Sequence, residues 1–462
     1  MKRKRKLTVI LLVILNIAFY GAFFAMSYAN KRSASADRSI YVSKTKLGDV
    51  ASISCINSNG KFTFEKQDDS WVCTDQKDFQ VNQKAVDSLA QTAVNLAAVR
   101  KVEQAGDFSQ YGLDSPQFKI SLTDSEGKKA TYDIGKLNDN IRKYYVKSED
   151  SADVFVIKSN YGEEIIKPLN AYSAAYDLSA IDKGSVTTIK VNDEKGSAAE
   201  ITQGQRDTES PLGSDSKWKF ASVFPKNTNV NSNIIDELWT DLEAAAASDC
   251  ADFEIDDAKL EKYGLKQPQE IITVNYSADS QNKSFSLMVS KENADGSAYV
   301  MFGDAKVIGL ASADTVKSLK AYLDAYSFLP QSVCAAKFKS LSGVTVTYNG
   351  VKYDYGITQN GTDYSVTLNG AQCDKDNFDA FFKKMVALNS NSHTSDGSTA
   401  LENKDGTLVV VYHSTNASYG DLKVVISPYD SDYYVASFDG VEGRLINKRS
   451  IETVLTLLQE AK

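Results

Sequence analysis

Histidine and proline are scarce in this chain, with 2 and 7 among 462 residues. The two histidines, His393 and His413, stand far apart with no HExxH or similar spacing, so the sequence nominates no metal-binding residues. One falls in a polar loop and the other at a strand end, and both are expected to have surface roles. A G-x-S-x-G elbow and a Walker-type phosphate loop are also lacking, which removes two common signatures of hydrolases and nucleotide enzymes. Isolated glycines such as Gly60 and Gly350 read as hairpin turns. Cysteine is sparse and odd in number, at 55, 73, 250, 334 and 373, with no CxxC, unlike a disulfide-stapled module. Free, mostly buried thiols are expected; a Cys55–Cys73 pair across one hairpin stays open. With so little proline, no long disordered stalk is expected.

Basic charge is short too. The formal net charge is −8, and setting aside the five cations Lys2–Lys6 leaves 47 basic against 60 acidic residues, about −13. Such a balance offers no electrostatic footprint for nucleic acid, and an acidic ectodomain would be repelled by anionic lipid headgroups rather than spread over them.

What is present begins with a membrane signal. After Lys2–Lys6, the 24 residues from Leu7 to Asn30 carry no charge. As a helix they would be roughly 36 Å long, enough to cross a hydrocarbon core of about 30 Å. Flanking cations hold that end in the cytoplasm and send the rest across. The small-residue run Ser33–Ala36 suggests a cleavable signal peptide as the rival. Against it stand the length of the apolar stretch and Lys31 and Arg32, which intervene before the run. We therefore expect a cytoplasmic tail at 1–6, an uncleaved span at 7–29 and a polar tether at 30–45. Small residues at Ala18, Gly21, Ala22, Ala25 and Ala29, with the amide of Asn16, would allow a partner helix to approach.

Internal repetition follows. Val81–Leu89, Val230–Leu238 and Cys373–Phe381 align as an apolar residue, a capping Asn or Asp, and apolar positions four and seven later. Each opens an amphipathic helix, expected to run to about Val99, Ala246 and Leu388. Alternating strands ending near Trp71, Trp218 and Tyr364 precede them, with a polar insertion at Gln203–Ser216 in the second copy. Tyr111-Gly112-Leu113 and Tyr263-Gly264-Leu265, each followed three residues on by proline, form a turn that the third copy lacks. Later strands carry Tyr145, Tyr299 and Tyr434 at what reads as one shared position, and closing helices are expected at Gly162–Leu169, Ala313–Leu323 and Ile451–Leu458. The expected fold is α+β: three modules of mainly antiparallel sheet at 46–180, 181–330 and 331–462, the last divergent.

Candidate chemistry is thin. Asp374, Asp376 and Asp379 begin like a calcium loop, but Asp379 stands where Gly belongs and Met385 where Glu belongs, and Asp374 is already explained as a helix cap. The carboxylate pairs Glu163-Glu164 and Asp256-Asp257 are adjacent and point in different directions, so neither suits a glycosidase. The 24 tyrosines could stack on sugars, but their recurrence argues for shared packing.

The anchor, the Trp71 hairpin before Val81–Leu89, the turn Tyr111–Pro116 and the Ile134-Gly135 strand end together resemble the bacterial family DUF4340. The likeness is good over 46–170, fair over 186–325 and weak in the third copy. It implies an accessory subunit beside ABC-type transporters of the gliding-motility type and brings no catalytic residues. The resulting expectation is a non-catalytic, single-pass, extracytoplasmic subunit of a transport or cell-envelope complex. It would sit in the cell membrane, with other membrane proteins as partners, no nucleic acid and no cofactor or metal. The alternative is a cell-surface binding module for glycan or peptide.

Overall fold

Period-two alternation builds most of the molecule. In Val50–Asn57, Ile53 and Cys55 turn inward while Ser52 and Ser54 turn out. A computed structural model describes residues 40–460, apart from 44, 58–59, 77–78, 95, 117, 213–215, 226–227, 304, 362 and 391. The tail expected at 1–6, the span at 7–29 and the tether as far as 39 lie outside the described residues. Among the described residues no helix is long and apolar enough to cross a membrane.

The alternating segments assemble into three sheets, and every strand pairing within them is antiparallel. One plan recurs in each: a three-strand meander, a helix, a lone fourth strand, a four-strand meander and a closing helix. In the first module the meander is Val50–Asn57, Gly60–Gln67 and Ser70–Cys73, followed by α1 (Gln83–Val94) and Ala97–Lys101. Phe118–Asp124, Lys129–Asn138, Lys143–Ser148, Val154–Lys158 and α2 (Ser159–Ile165) complete it. The second module runs through Val186–Asp193, Gly196–Gln203, Trp218–Ser222, α3 (Ile234–Ala246) and Asp249–Phe253. It inserts α4 (Asp257–Lys262) and then continues with Glu270–Ala278, Gln281–Val289, Ala298–Phe302, Val307–Ala311 and α5 (Ala313–Ala321). The third has Leu341–Tyr348, Val351–Asn360, Asp363–Leu368, α6 (Lys375–Val386), Ser392–His393, Leu408–Ser414, Leu422–Pro428, Tyr433–Phe438, Val441–Asn447 and α7 (Lys448–Glu460). Across each sheet the order is third, second, first, fifth, sixth, seventh, eighth, fourth. Ile40–Tyr41 and Ala371–Gln372 add short outer strands to the first and third.

The helices cover one face and seal the cores. Val86, Leu89 and Ala93 of α1, Leu238, Leu242 and Ala245 of α3, and Phe378, Phe381 and Met385 of α6 are buried at helical spacing. Asn82 accepts from the Ala85 amide at 3.1 Å, and Asp374 from those of Asp376 and Asn377 at 2.8 and 3.3 Å, as capping residues do. Asn231 serves one turn early, accepting from Asn233 at 3.2 Å before α3 begins at Ile234.

Several expectations need correction. Val99 is not helical: α1 ends at Val94, and Ala97–Lys101 is a strand against Val154–Lys158. Ala97-Ala98 favours a helix locally, but pairing with a strand more than fifty residues away overrides that preference. The tether does not reach 45. Ile40 and Tyr41 pair with Ala98 and Ala97, Val42 is buried, and Thr45 donates to Asp150 at 3.0 Å.

The chain divides into two compact units at Ala174/Ala175. Leu178 already belongs to the second core, and Tyr176 stacks on Phe302 at 4.2 Å. The second and third modules together form one unit. The second core extends to Leu329 and the third begins at Val333. Cys55 and Cys73 are free thiols on strands separated by Gly60–Gln67, roughly 10 Å apart across the sheet, beyond the Cα reach of a disulfide.

The matched tyrosines split into two classes. Tyr145 and Tyr299 lie on the face away from the core helices, against the turn tyrosines, with ring centroids 4.8 Å from Tyr111 and 4.6 Å from Tyr263. Tyr434 belongs to the third core instead, on the helix-covered face of its own sheet, as Tyr144 does in the first module. A one-residue step along a strand reverses the face, and the third copy has no turn tyrosine to receive an outward ring. Gly135 is likewise not a strand end. It lies inside Lys129–Asn138 at a register shift, where a Cβ would come within 2.2 Å of the Tyr111 carbonyl oxygen.

Candidate functional site

His413 anchors the constellation nearest to catalytic geometry. It closes the strand Leu408–Ser414, whose neighbour places Thr345 and, one strand further, Asp354 on the same open face of the third sheet. Its Nδ1 lies 2.7 Å from Asp421 Oδ2 and its Nε2 2.8 Å from Thr345 Oγ1, while Thr345 Oγ1 lies 2.7 Å from Asp354 Oδ1. Asp, His and a hydroxyl in series form the outline of a nucleophile triad. Two features oppose that use. The Thr345 hydroxyl is shared between the His413 ring and the Asp354 carboxylate, and the residue is only 9% exposed in a strand paired on both sides. The Thr345 hydroxyl, with the charges of Lys352 and His413 behind it, holds Asp354 below the usual carboxylate range. The series fastens three strands and the turn after them.

His393 sits where the second module meets the third. Its ring lies flat on Tyr326 with centroids 3.9 Å apart, Nε2 is 2.9 Å from Asp324 Oδ2, and Nδ1 is 3.1 Å from the Thr394 carbonyl. Both histidines are therefore partly buried and engaged, not free at the surface. At the same junction Tyr326 donates to the Glu442 carbonyl at 2.8 Å. Arg444, on Val441–Asn447, donates to the carbonyls of Pro330, Gln331 and Ser332 at 2.6, 3.0 and 3.2 Å. Burial draws its guanidinium down to about 10, so it remains a cation at neutral pH. A cavity of about 60 Å³ beside it is lined by Leu212, Asn229, Val333, Phe438 and Asp439. Small-molecule pockets are typically about 300 Å³ or more, so this one suits no organic substrate.

Glu270 is the third unusual group. It opens the strand Glu270–Ala278 on the inward parity of Ile272 and Val274, and it is 1% exposed. Neither carboxyl oxygen has a hydrogen-bond partner. Burial pushes its pKa up to about 8, against a lowering pull from Lys320. The open cleft nearby, about 480 Å³, is lined by Lys195, Lys291 and Lys320 and by Asp193, Glu194 and Glu292. Ion pairs Lys320–Glu292 at 2.6 Å and Lys291–Glu194 at 2.9 Å balance it.

The remaining sequence candidates have structural partners. Asp256 caps α4 by accepting from Lys259 at 2.8 Å, Asp257 pairs with Lys266 at 3.2 Å, and Glu164 pairs with Lys167 at 2.6 Å. Among the described residues no three His, Cys, Asp or Glu side chains converge on a cation position. Arg444 and Glu270 escaped the motif search. Glu270 carried a readable signal, a carboxylate at an inward position of an alternating strand; Arg444 carried none.

Two stretches match the model of one family, described as a domain of unknown function (DUF4340): residues 71–252 and 218–405. Each match opens on the aromatic residue of a third strand, Trp71 or Trp218, and runs on into the next module, so it straddles two sheets. No curated protein and no solved structure matches the chain. Together the two stretches span well over half of the sequence, and the chain belongs to the DUF4340 family.

Proposed function

We propose that the protein is a membrane-anchored, non-catalytic accessory subunit of an envelope assembly, its three modules displayed outside the cytoplasm. The observation that carries this reading is how the reactive groups are used. His413 and Thr345 fasten strands, and His393, Tyr326 and Arg444 fasten two modules together. The uncharged stretch Leu7–Asn30 behind five cations supports anchoring. A repeated sheet architecture supports display over a long surface. Transporter subunits of the ABC type are the partners we favour.

Purification of the tagged full-length chain in mild detergent tests this, with mass spectrometry of what comes with it. Enrichment of transporter subunits over an unrelated single-span protein is expected. Recovery of cell-wall material without membrane proteins would favour a glycan- or peptide-binding module instead.

A further inference from the structure

Both histidines of the chain turn both ring nitrogens towards oxygen atoms. At His393 these are the Asp324 carboxylate and the Thr394 carbonyl. Neither has a proton to give, so each bond needs an N–H on the ring. At His413 the count runs through Thr345. The Asp421 carboxylate takes an N–H from Nδ1. Asp354, held ionised, can only accept, so the Thr345 proton points to it and the Thr345 oxygen accepts from Nε2. The full set of bonds at each ring is made only by the imidazolium, and a neutral ring must give one up.

The neighbouring charges are mixed at both rings. Asp354 and Asp421 bracket His413, with Lys352 3.6 Å from Asp354 and Lys423 paired to Glu402 on the adjacent strand. Around His393 stand Asp324, the stacked Tyr326, Asp396 on the loop that follows, and Glu442 and Arg444 on the paired strand. Glu442 accepts from Ser437 at 2.6 Å, and the Arg444 cation, which opposes a second positive charge, is taken up by three carbonyls. The two imidazole side chains are 30 and 35% exposed, so solvent protons reach both.

Both rings hold the same joint. His393, on the edge strand Ser392–His393 of the third module, reaches Asp324 of the second. His413 and Asp421 close the ends of the loop 414–421, and the Ser414 amide donates to the same carboxylate at 3.3 Å. From that loop Tyr419 donates at 2.7 Å to Asp207, in the polar insertion of the second module. We propose that this joint is operated by protons: with both histidines charged the third module is clamped to the second, and with both neutral it loosens. A bond made only by the charged ring stabilises the joint below the histidine range, ordinarily centred at about 6.5, and is lost as pH rises through it. The anchoring proposed above plays no part in this.

Hydrogen exchange of the full-length protein in mild detergent tests it, at about pH 5.5 and about pH 8, with rates corrected for intrinsic chemistry. Glu270→Met is present in every sample, because Glu270 titrates in the same window with the same sign. Amides of 325–333 and 414–421 should be about five- to tenfold more protected at the lower pH, the factor for one hydrogen bond of ordinary strength. Amides of α1, in a module without histidine, should show no such change. His393→Gln combined with His413→Gln leaves an uncharged donor at each place and should abolish the difference. Equal protection of the two segments at both pH values overturns the proposal, and so does an undiminished difference in the double variant.

Discussion

The indole N–H of Trp71 donates to Asp87 at 2.8 Å, tying the third strand of the first module to the helix that follows it. The third module makes the same tie with different chemistry, Tyr364 donating its hydroxyl to Asp379. Trp71 and Tyr364 each stand second in a strand that follows a two-residue hairpin turn, and Asp87 and Asp379 are aligned positions of α1 and α6. In the second module the aligned Asp236 takes Lys183 at 2.8 Å instead.

Removing this tie should loosen the start of the helix and little else. Trp71→Phe keeps the ring and loses the donor, at a cost of about 1–3 kcal/mol for a hydrogen bond to a charged acceptor. Hydrogen exchange of the α1 amides should accelerate accordingly, and Tyr364→Phe should do the same to α6. Unchanged exchange in both would show that the contact contributes nothing.

Gly135→Ala should be far more damaging than its size suggests. The added methyl would lie 2.2 Å from the Tyr111 carbonyl oxygen, forcing the turn off the sheet, and we expect about 3 kcal/mol of destabilisation. Gly106→Ala is the control, since a Cβ there meets nothing within 4 Å. Urea midpoints of the two variants compare them directly.

Glu270 predicts a pH dependence whose sign follows from its direction of shift. Its folded-state value is raised to about 8 from 4.5, so between those limits the folded chain holds a proton that the unfolded chain has released. Stability therefore falls as pH rises through that window, by about 1.4 kcal/mol per pH unit for this group alone. Glu270→Met, an apolar side chain where the first module has Phe118, should flatten that slope and gain about 2 kcal/mol at pH 8. Denaturant titrations at pH 5 and pH 8 would expose an unaltered slope.

Arg444→Met should uncouple the second and third modules, which form one compact unit. It removes the Arg444 donor from the carbonyls of Pro330 and Ser332 and leaves the Gln331 carbonyl with the Ser390 amide alone, a cost of about 3 kcal/mol concentrated at the junction. Calorimetry should then resolve a second transition within the 175–462 unit, and proteases should cut near 330. Arg444→Lys should not restore the parent, because one ammonium cannot span three acceptors.

The repeat was legible because its signals are local. Val81–Leu89 and its two counterparts carry their own caps and apolar period, and the sheets carry their own alternation. Tertiary context set what was misread. The Ala97–Lys101 strand needs a partner that comes much later in the chain. The face of Tyr434 depends on the absence from its own module of a turn that the other two carry. Arg444 has meaning only beside carbonyls more than a hundred residues earlier. No periodicity records those distances, which is why the contacts that fasten the second module to the third were invisible while the modules themselves were not.

The position of the fourth strand also dictates a timetable. Ala97–Lys101 pairs with the eighth strand, Val154–Lys158, so on the strand-by-strand order of synthesis it must wait for the rest of its module before it can join the sheet. Asp249–Phe253 waits in the same way for Val307–Ala311. Closing such a distant pair is slow, because chain entropy is lost before contacts reward it. Each module should therefore complete as a unit, first to last, with one open strand edge exposed until its eighth strand arrives. A ribosome or translocase pausing inside a module would hold that edge open, and a pause between modules would not.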